Sequence, residues 1–188
     1  IYKDGVVAES DLYGSGSTDT AVLSSGKRAS HDIGRSLNGG TRYLDGTIAY
    51  LRFWQGMALS ASQVAELYAA RIEPTPAPTG APTVEPTTAP TQTPTPAPTV
   101  VREPDHEFDF RGCTDEVDVV DTYNASIVVT AQNGASCSSE GEGMAFSGTQ
   151  YADVTPWAFG GSLTVEAYVK QGDSLSYAGR VLQFAGGG

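Results

Sequence analysis

Basic residues are scarce: 11 Lys and Arg stand against 22 Asp and Glu in 188 residues, a net charge of −11. Nucleic-acid binders need a basic face, and anionic membrane surfaces attract basic clusters, so this balance speaks against both partners. Long apolar runs are also missing. No stretch approaches the roughly 20 residues of a membrane helix, so no membrane insertion is expected of this segment. The chain has 2 cysteines and 2 histidines. Two cysteines cannot make a zinc site alone, and His31 and His106 lack metal-ligand spacing. The Gly-rich runs at 14–16, 39–40 and 186–188 lack the Lys-Ser/Thr of a phosphate loop.

Glycine and proline, by contrast, are plentiful, with 22 and 11 copies. That composition disfavours a helical bundle and suits short strands and turns. Composition also divides the chain into three. Residues 1–73 carry 8 acids and 7 bases, residues 74–104 carry 2 and 1, and residues 105–188 carry 12 and 3. Ten of the 11 prolines fall in 74–104, mostly spaced by Thr and Ala. Proline fixes φ and removes a donor, so this segment is expected to be a disordered, extended linker of polyproline-II character. It reads equally as a bare spacer or as an O-glycosylated stalk. The chain starts with Ile1 and has no signal peptide, which reads as an internal piece of a longer protein.

Residues 1–73 read mainly as strands. Asp4-Gly5 between IYK and VVA signals a hairpin. Weaker strands are expected at 20–24 and 31–36, and the strongest at 47–55, TIAYLRFWQ. Alternation places Ile48, Tyr50, Arg52 and Trp54 on one face and Ala49, Leu51 and Phe53 on the other. One short helix follows in LSASQVAELYA, with Ser60 as N-cap, Gln63 in the capping-box position and Val64, Leu67 and Tyr68 as its buried stripe. Residues 105–188 add EFDF (107–110), SIVVTA (126–131), two strands about Gly148, SLTVEAYVK (162–170) and GRVLQFA. In SLTVEAYVK, alternation predicts Leu163, Val165, Ala167 and Val169 inward, with Thr164, Glu166, Tyr168 and Lys170 outward. Short strands at such spacing point to a β-sandwich.

Several stretches resemble a known family. Ile33-Gly34-Arg35, Tyr43 to Gly46, the strand from Ile48 to Trp54 and the helix from Leu59 to Tyr68 resemble the C-terminal half of a laminin-G-like, concanavalin A-like lectin/glucanase domain, although Gln63 falls one residue late. IYKDGVVA is similar to that family's hairpin just upstream. FDFRG, NGASC with GMAFSGTQYADV, SLTVEAYVK and RVLQFAGG resemble the N-terminal half. The resemblance implies an all-β jelly-roll sandwich present as two half-domains: 1–73 the end of one repeat, 74–104 a linker and 105–188 the start of the next. In a second account the halves complement one another through the linker as a circular permutant. About thirty extended residues at ~3.1 Å each span such a gap.

Candidate chemistry is sparse. Cys113 and Cys137 fit a disulfide of an extracellular β-domain, or two free buried thiols. Asn124-Ala125-Ser126 is an N-glycosylation acceptor sequence. Asp115, Asp118 and Asp121 offer hard oxygens. The family resemblance makes calcium a conceivable cofactor there, and a solvated acidic edge is the plainer reading. Tyr151, Asp153 and Trp157 are candidate carbohydrate contacts; otherwise Trp157 and Phe159 cap the core. Glu107 and Asp109 match part of the Glu-x-Asp-x-x-Glu of laminarinase-type members, but no second Glu follows. No Ser-His-Asp arrangement is evident either. The expectation is therefore no catalysis. The resemblance implies an extracellular or cell-surface module that recognises carbohydrate or a glycoprotein. A structural spacer of a wall or adhesion protein, or an accessory region of a larger carbohydrate-active enzyme, is the alternative.

Overall fold

A computed structural model describes residues 2–4, 6–7, 23–27, 30–36, 42–71, 102–114, 118–172 and 180–185. In chain order the strands are β1 (Tyr2–Lys3), β2 (Val6–Val7), β3 (Leu23–Lys27), β4 (Ser30–Ile33), β5 (Arg35–Ser36), β6 (Arg42–Tyr43) and β7 (Gly46–Gln55). After the helix α1 (Ala61–Ala70) come β8 (His106–Asp109), β9 (Asp118–Val120), β10 (Val128–Gln132), β11 (Ser136–Cys137), β12 (Met144–Phe146), β13 (Tyr151–Val154), β14 (Ala158–Gly161), β15 (Leu163–Gln171) and β16 (Leu182–Ala185). The fold is all-β, and every described pairing is antiparallel. Among the described residues no helix is long and apolar enough to cross a membrane. Most of the Pro/Thr-rich segment, residues 74–101, lies outside the described residues.

The chain forms two compact units. The smaller joins Ile1–Gly16 to Leu59–Arg102. It holds the β1–β2 hairpin, turned at Asp4 with φ 52°, and the helix α1. Ser60 caps α1 and Gln63 closes the capping box, its side chain accepting from the Ser60 backbone N–H at 2.9 Å. These bonds satisfy N–H groups that have no partner within the helix. No residue of α1 is fully buried; Val64, Leu67 and Tyr68 are half-buried.

The larger unit joins Ser17–Ala58 to Glu103–Gly188. Its two main sheets run β16-β4-β13-β10-β9 and β11-β12-β7-β15, with β8 also paired to β7. β7 comes from before the Pro-rich segment, whereas its neighbours β8, β12 and β15 come from after it. Sheet pairing therefore ties the two stretches together. Ile33, Val129, Ala152 and Val154 from one sheet and Leu51, Phe53, Phe108 and Met144 from the other belong to one apolar cluster. That shared layer makes the unit sandwich-like.

Two departures from simple alternation shape these sheets. The register between β7 and β15 shifts at Tyr168/Val169, so that Tyr168 faces Tyr50 and Val169 faces Ile48. Ala49 is the extra residue, and the bulge reverses the parity before it. Ile48 therefore joins Leu51 and Phe53 in the core, not Tyr50 and Trp54 as alternation predicts. β15 is an edge strand of its sheet, and there Val165 is 40 % exposed and Ala167 is also exposed. Leu163 and Val169 pack on the core, while Glu166 and Tyr168 are half-buried on the other face. Val165 and Ala167 thus share the inward face with Leu163 and Val169, opposite Phe53 and Leu51, as alternation predicts, but they are not buried: near a sheet edge less of the facing layer is there to cover an apolar side chain.

Cys113 and Cys137 form a disulfide across a sequence separation of 24. Closing a loop of that size restricts the unfolded chain, in the entropic account, by about 3 kcal/mol. The double variant Cys113→Ser, Cys137→Ser is expected to lose about that much stability in urea denaturation. A loss below 1 kcal/mol would show that the link adds little.

Candidate functional site

A polar row crosses the outer face of the five-stranded sheet. Strand register sets Gln183 opposite Asp32, Asp32 opposite Asp153, Asp153 opposite Thr130 and Thr130 opposite Asp118. Directly opposed residues share a face, so these five side chains form one line. The alternate residues Ile33, Val129, Ala152 and Val154 face the core. β4 stops before Gly34, whose φ of +82° suits glycine and whose added Cβ would meet Phe146 at 2.9 Å. This break brings Arg35 back over the row.

Arg35 is the hub. Its Nε donates to Asp32 Oδ1 at 2.9 Å, and its Nη2 donates to the same oxygen and to Asp153 Oδ1, the latter at 3.2 Å. Its guanidinium carbon lies 3.7 Å from the centre of the Tyr151 ring, a cation–π contact. Tyr43 stands beside that ring, with centroids 6.5 Å apart. Ser30 Oγ donates to Asp32 Oδ2 at 3.0 Å. At the far end of the row, Thr130 Oγ1 donates to Asp118 Oδ1 at 2.9 Å. The Asp32 side chain is 0 % exposed and that of Asp153 is 44 % exposed, so the cluster opens to solvent at Asp153. Burial holds the Asp153 carboxyl above its ordinary range; Arg35 opposes this and Asp32 adds to it. Burial works against the Arg35 charge, but the bonds and attraction of Asp32, together with Tyr151 and Asp153, outweigh that and raise its pKa. Two carboxylates sharing one guanidinium leave acceptor capacity facing solvent.

A second polar cluster lies on the other sheet. Register aligns Glu107, Arg52 and Glu166 across β8, β7 and β15. Arg52 pairs with Glu107 at 2.6 Å and with Glu166 at 3.3 Å, and Tyr50 OH donates to Glu166 at 3.3 Å. Asp109 is paired with Arg111 at 2.6 Å, which holds its carboxyl below the usual range against the effect of burial. Glu107 and Asp109, the partial match to a glucanase strand, are therefore both neutralised by arginines. Burial, with Glu166 adding to it, pushes the Tyr50 hydroxyl up from 10.0 to about 12. The raised value keeps the neutral form favoured in the fold. Its contribution to stability is complete below pH 10 and is lost as pH rises through about 12. Tyr50→Phe is expected to flatten the fall of the urea midpoint across that alkaline range. An unchanged slope would show that other groups dominate it.

A buried His–Asp pair also occurs. His106 Nδ1 bonds Asp121 Oδ2, and His106 Nε2 lies 2.6 Å from the Gln55 side-chain amide. Asp121 Oδ1 accepts from the backbone N–H groups of Glu107 and Tyr123, each at 3.0 Å. Both ring nitrogens are thus engaged, and among the described residues no serine is set against them. The pair ties the start of β8 to the turn after β9.

Tyr151 and Asp153 do come together, around Arg35. Trp157 does not join them: it is 8 % exposed and sits among His31, Phe53, His106, Phe108, Phe159 and Phe184. It therefore fills the core, and its assignment as a ligand contact is corrected. Asp118 is exposed and held by Thr130, whereas Asp121 is buried and held by His106. They do not converge on a calcium position; Asp115 lies outside the described residues. Among the described residues no group of three or more His, Cys, Asp or Glu is placed to hold a metal. Asp32 was not singled out from sequence, and Arg35 only as part of a turn. The available signal was a charged pair, Asp32 and Arg35, flanking Ile33-Gly34 in a strand-like run.

No family model, curated protein or solved structure matches this chain.

Proposed function

We propose that the chain is a non-catalytic extracellular recognition module that binds carbohydrate or a glycoprotein through the outer face of β4 and β13. In this reading the two sheets form a jelly roll of the concanavalin A-like class, in keeping with the laminin-G-like resemblance of the sequence. The observation that carries the reading is the Arg35 hub: a guanidinium held by two carboxylates and stacked on Tyr151, open to solvent at Asp153. Sugar hydroxyls need fixed donors and acceptors, which Arg35 and Asp153 supply. Sugar ring faces pack on flat side chains, here Tyr151 and Tyr43.

The test is a screen of the full chain on a glycan array, followed by calorimetry on any hit. Asp153→Ala and Tyr151→Ala are expected to weaken a genuine hit at least tenfold while the thermal midpoint stays close to the wild type. Wild-type protein that binds no glycan would decide for the alternative of a spacer without a ligand. The closed ion pairing of Arg52 with Glu107 and Glu166 favours that second reading for the opposite sheet.

A further inference from the structure

The turn between β9 and β10 carries Asn124-Ala125-Ser126, the chain's single Asn-x-Ser/Thr sequence. All residues from Thr122 to Ser126 are exposed. The turn is nevertheless fixed. Asp121 and Ile127 at its two ends are buried, and the Asp121 N–H donates to Ile127 O at 2.9 Å. Thr122 N–H donates to Glu107 O and Ile127 N–H to Asn124 O, each at 2.9 Å.

Within the turn the Asn124 amide is oriented by the residue two positions on. Asn124 Oδ1 accepts from Ser126 N–H at 3.1 Å and from Ser126 Oγ–H at 2.7 Å. Both bonds draw electron density to Oδ1 and leave Nδ2 on the opposite lobe of a planar amide. No described residue accepts a hydrogen bond from it. Asn133 is an internal contrast. It precedes Gly134-Ala135, has no hydroxyl two positions on, and spends its Nδ2 on Thr149 O at 3.1 Å. The Cys113–Cys137 disulfide adds an independent pointer to an oxidising, secretory compartment.

We propose that Asn124 is an acceptor for N-glycosylation. In the transfer, Asn124 Nδ2 forms a bond to the anomeric carbon of a lipid-pyrophosphate-linked oligosaccharide. The bond from that carbon to the phosphate oxygen breaks, and the lipid pyrophosphate leaves with the electron pair. One Nδ2 proton passes to a base of the transferase. The completed glycan projects from an exposed turn whose buried ends hold the fold without it, so the modification displaces no packed side chain.

The test is expression of the full chain behind an added signal peptide in a glycosylating eukaryotic cell line, read in both cells and medium. Removal by a peptide-N-glycanase separates an N-glycan from any O-glycan on the Thr-rich segment. The wild type is expected to show one glycanase-sensitive shift, with the mass change on the peptide that contains Asn124. Asn124→Gln and Ser126→Ala are each expected to abolish it, and Ser126→Thr to retain it. Should Asn124→Gln fail to fold, Ser126→Ala decides, because it keeps the asparagine and removes only the hydroxyl. Wild-type protein that carries the disulfide but leaves Asn124 unmodified would overturn the proposal.

Discussion

A single cut within residues 74–104 is expected to leave the two parts of the chain bound to each other, eluting together in size-exclusion chromatography without denaturant. β7 lies before that cut and is paired along its whole length with β15, which lies after it. β8 pairs with β7 from Tyr50 to Phe53, and Phe108 packs edge-on against Phe53 with ring centroids 6.1 Å apart. Both rings are almost wholly buried. Separating the parts would expose a full ladder of backbone groups together with the shared apolar layer. Phe108→Ala removes one of the largest side chains of that layer, at a cost of about 3–5 kcal/mol. Domain stabilities are typically about 5–15 kcal/mol, so this variant is expected to destabilise the uncut chain strongly and to release the parts once the chain is cut. Wild-type parts that elute separately would show that each holds together, or fails, by itself.

Arg35→Ala is expected to cost about 3–5 kcal/mol, far more than loss of an exposed ion pair. The reason is Asp32. Its side chain has no exposure, and Arg35 is its charged partner at Oδ1. Without the guanidinium the carboxylate has to stay buried without a compensating cation, or the strand has to open to hydrate it. Asp32→Asn in the same chain removes the stranded charge, so the double variant is expected to be more stable than Arg35→Ala alone. Arg35→Lys restores a charge but not the planar fork that reaches Asp32 and Asp153 together, so its stability should fall between. Urea denaturation of the wild type, Arg35→Ala, Asp32→Asn and the double variant closes a double-mutant cycle. A single-variant loss below about 1 kcal/mol, the range of surface pairs, would overturn the hub reading.

Asp32 and Asp153 are expected to behave differently in such variants even though they face each other across two strands. Asp32 is enclosed and mainly structural. Asp153 is part-exposed and shares only one of the Arg35 bonds. Substituting it should therefore change recognition more than stability, which is why it serves as the binding variant.

Local chemistry in the sequence determined a good part of this molecule. The turn at Asp4, the Ser60–Gln63 capping box and the apolar faces of Phe108 and Phe110 depend on neighbours a few residues away, and each lies where local rules place it. Glycine, proline and alternation were enough to indicate an all-β structure of short strands. What only the tertiary structure decided depends on register between distant segments. Arg35 meets Asp153 across 118 positions, and Arg52 meets Glu166 across 114. Neither pairing has a local signature. The bulge at Ala49 moved Ile48 into the core, and the edge position of β15 left Val165 exposed. Trp157 shows the same limit: its Thr-Pro-Trp setting reads as a loop, yet rings from five strands close around it. Strand alternation fixes which residues share a face. Which face is covered, and by what, is set by the sheet that packs against it.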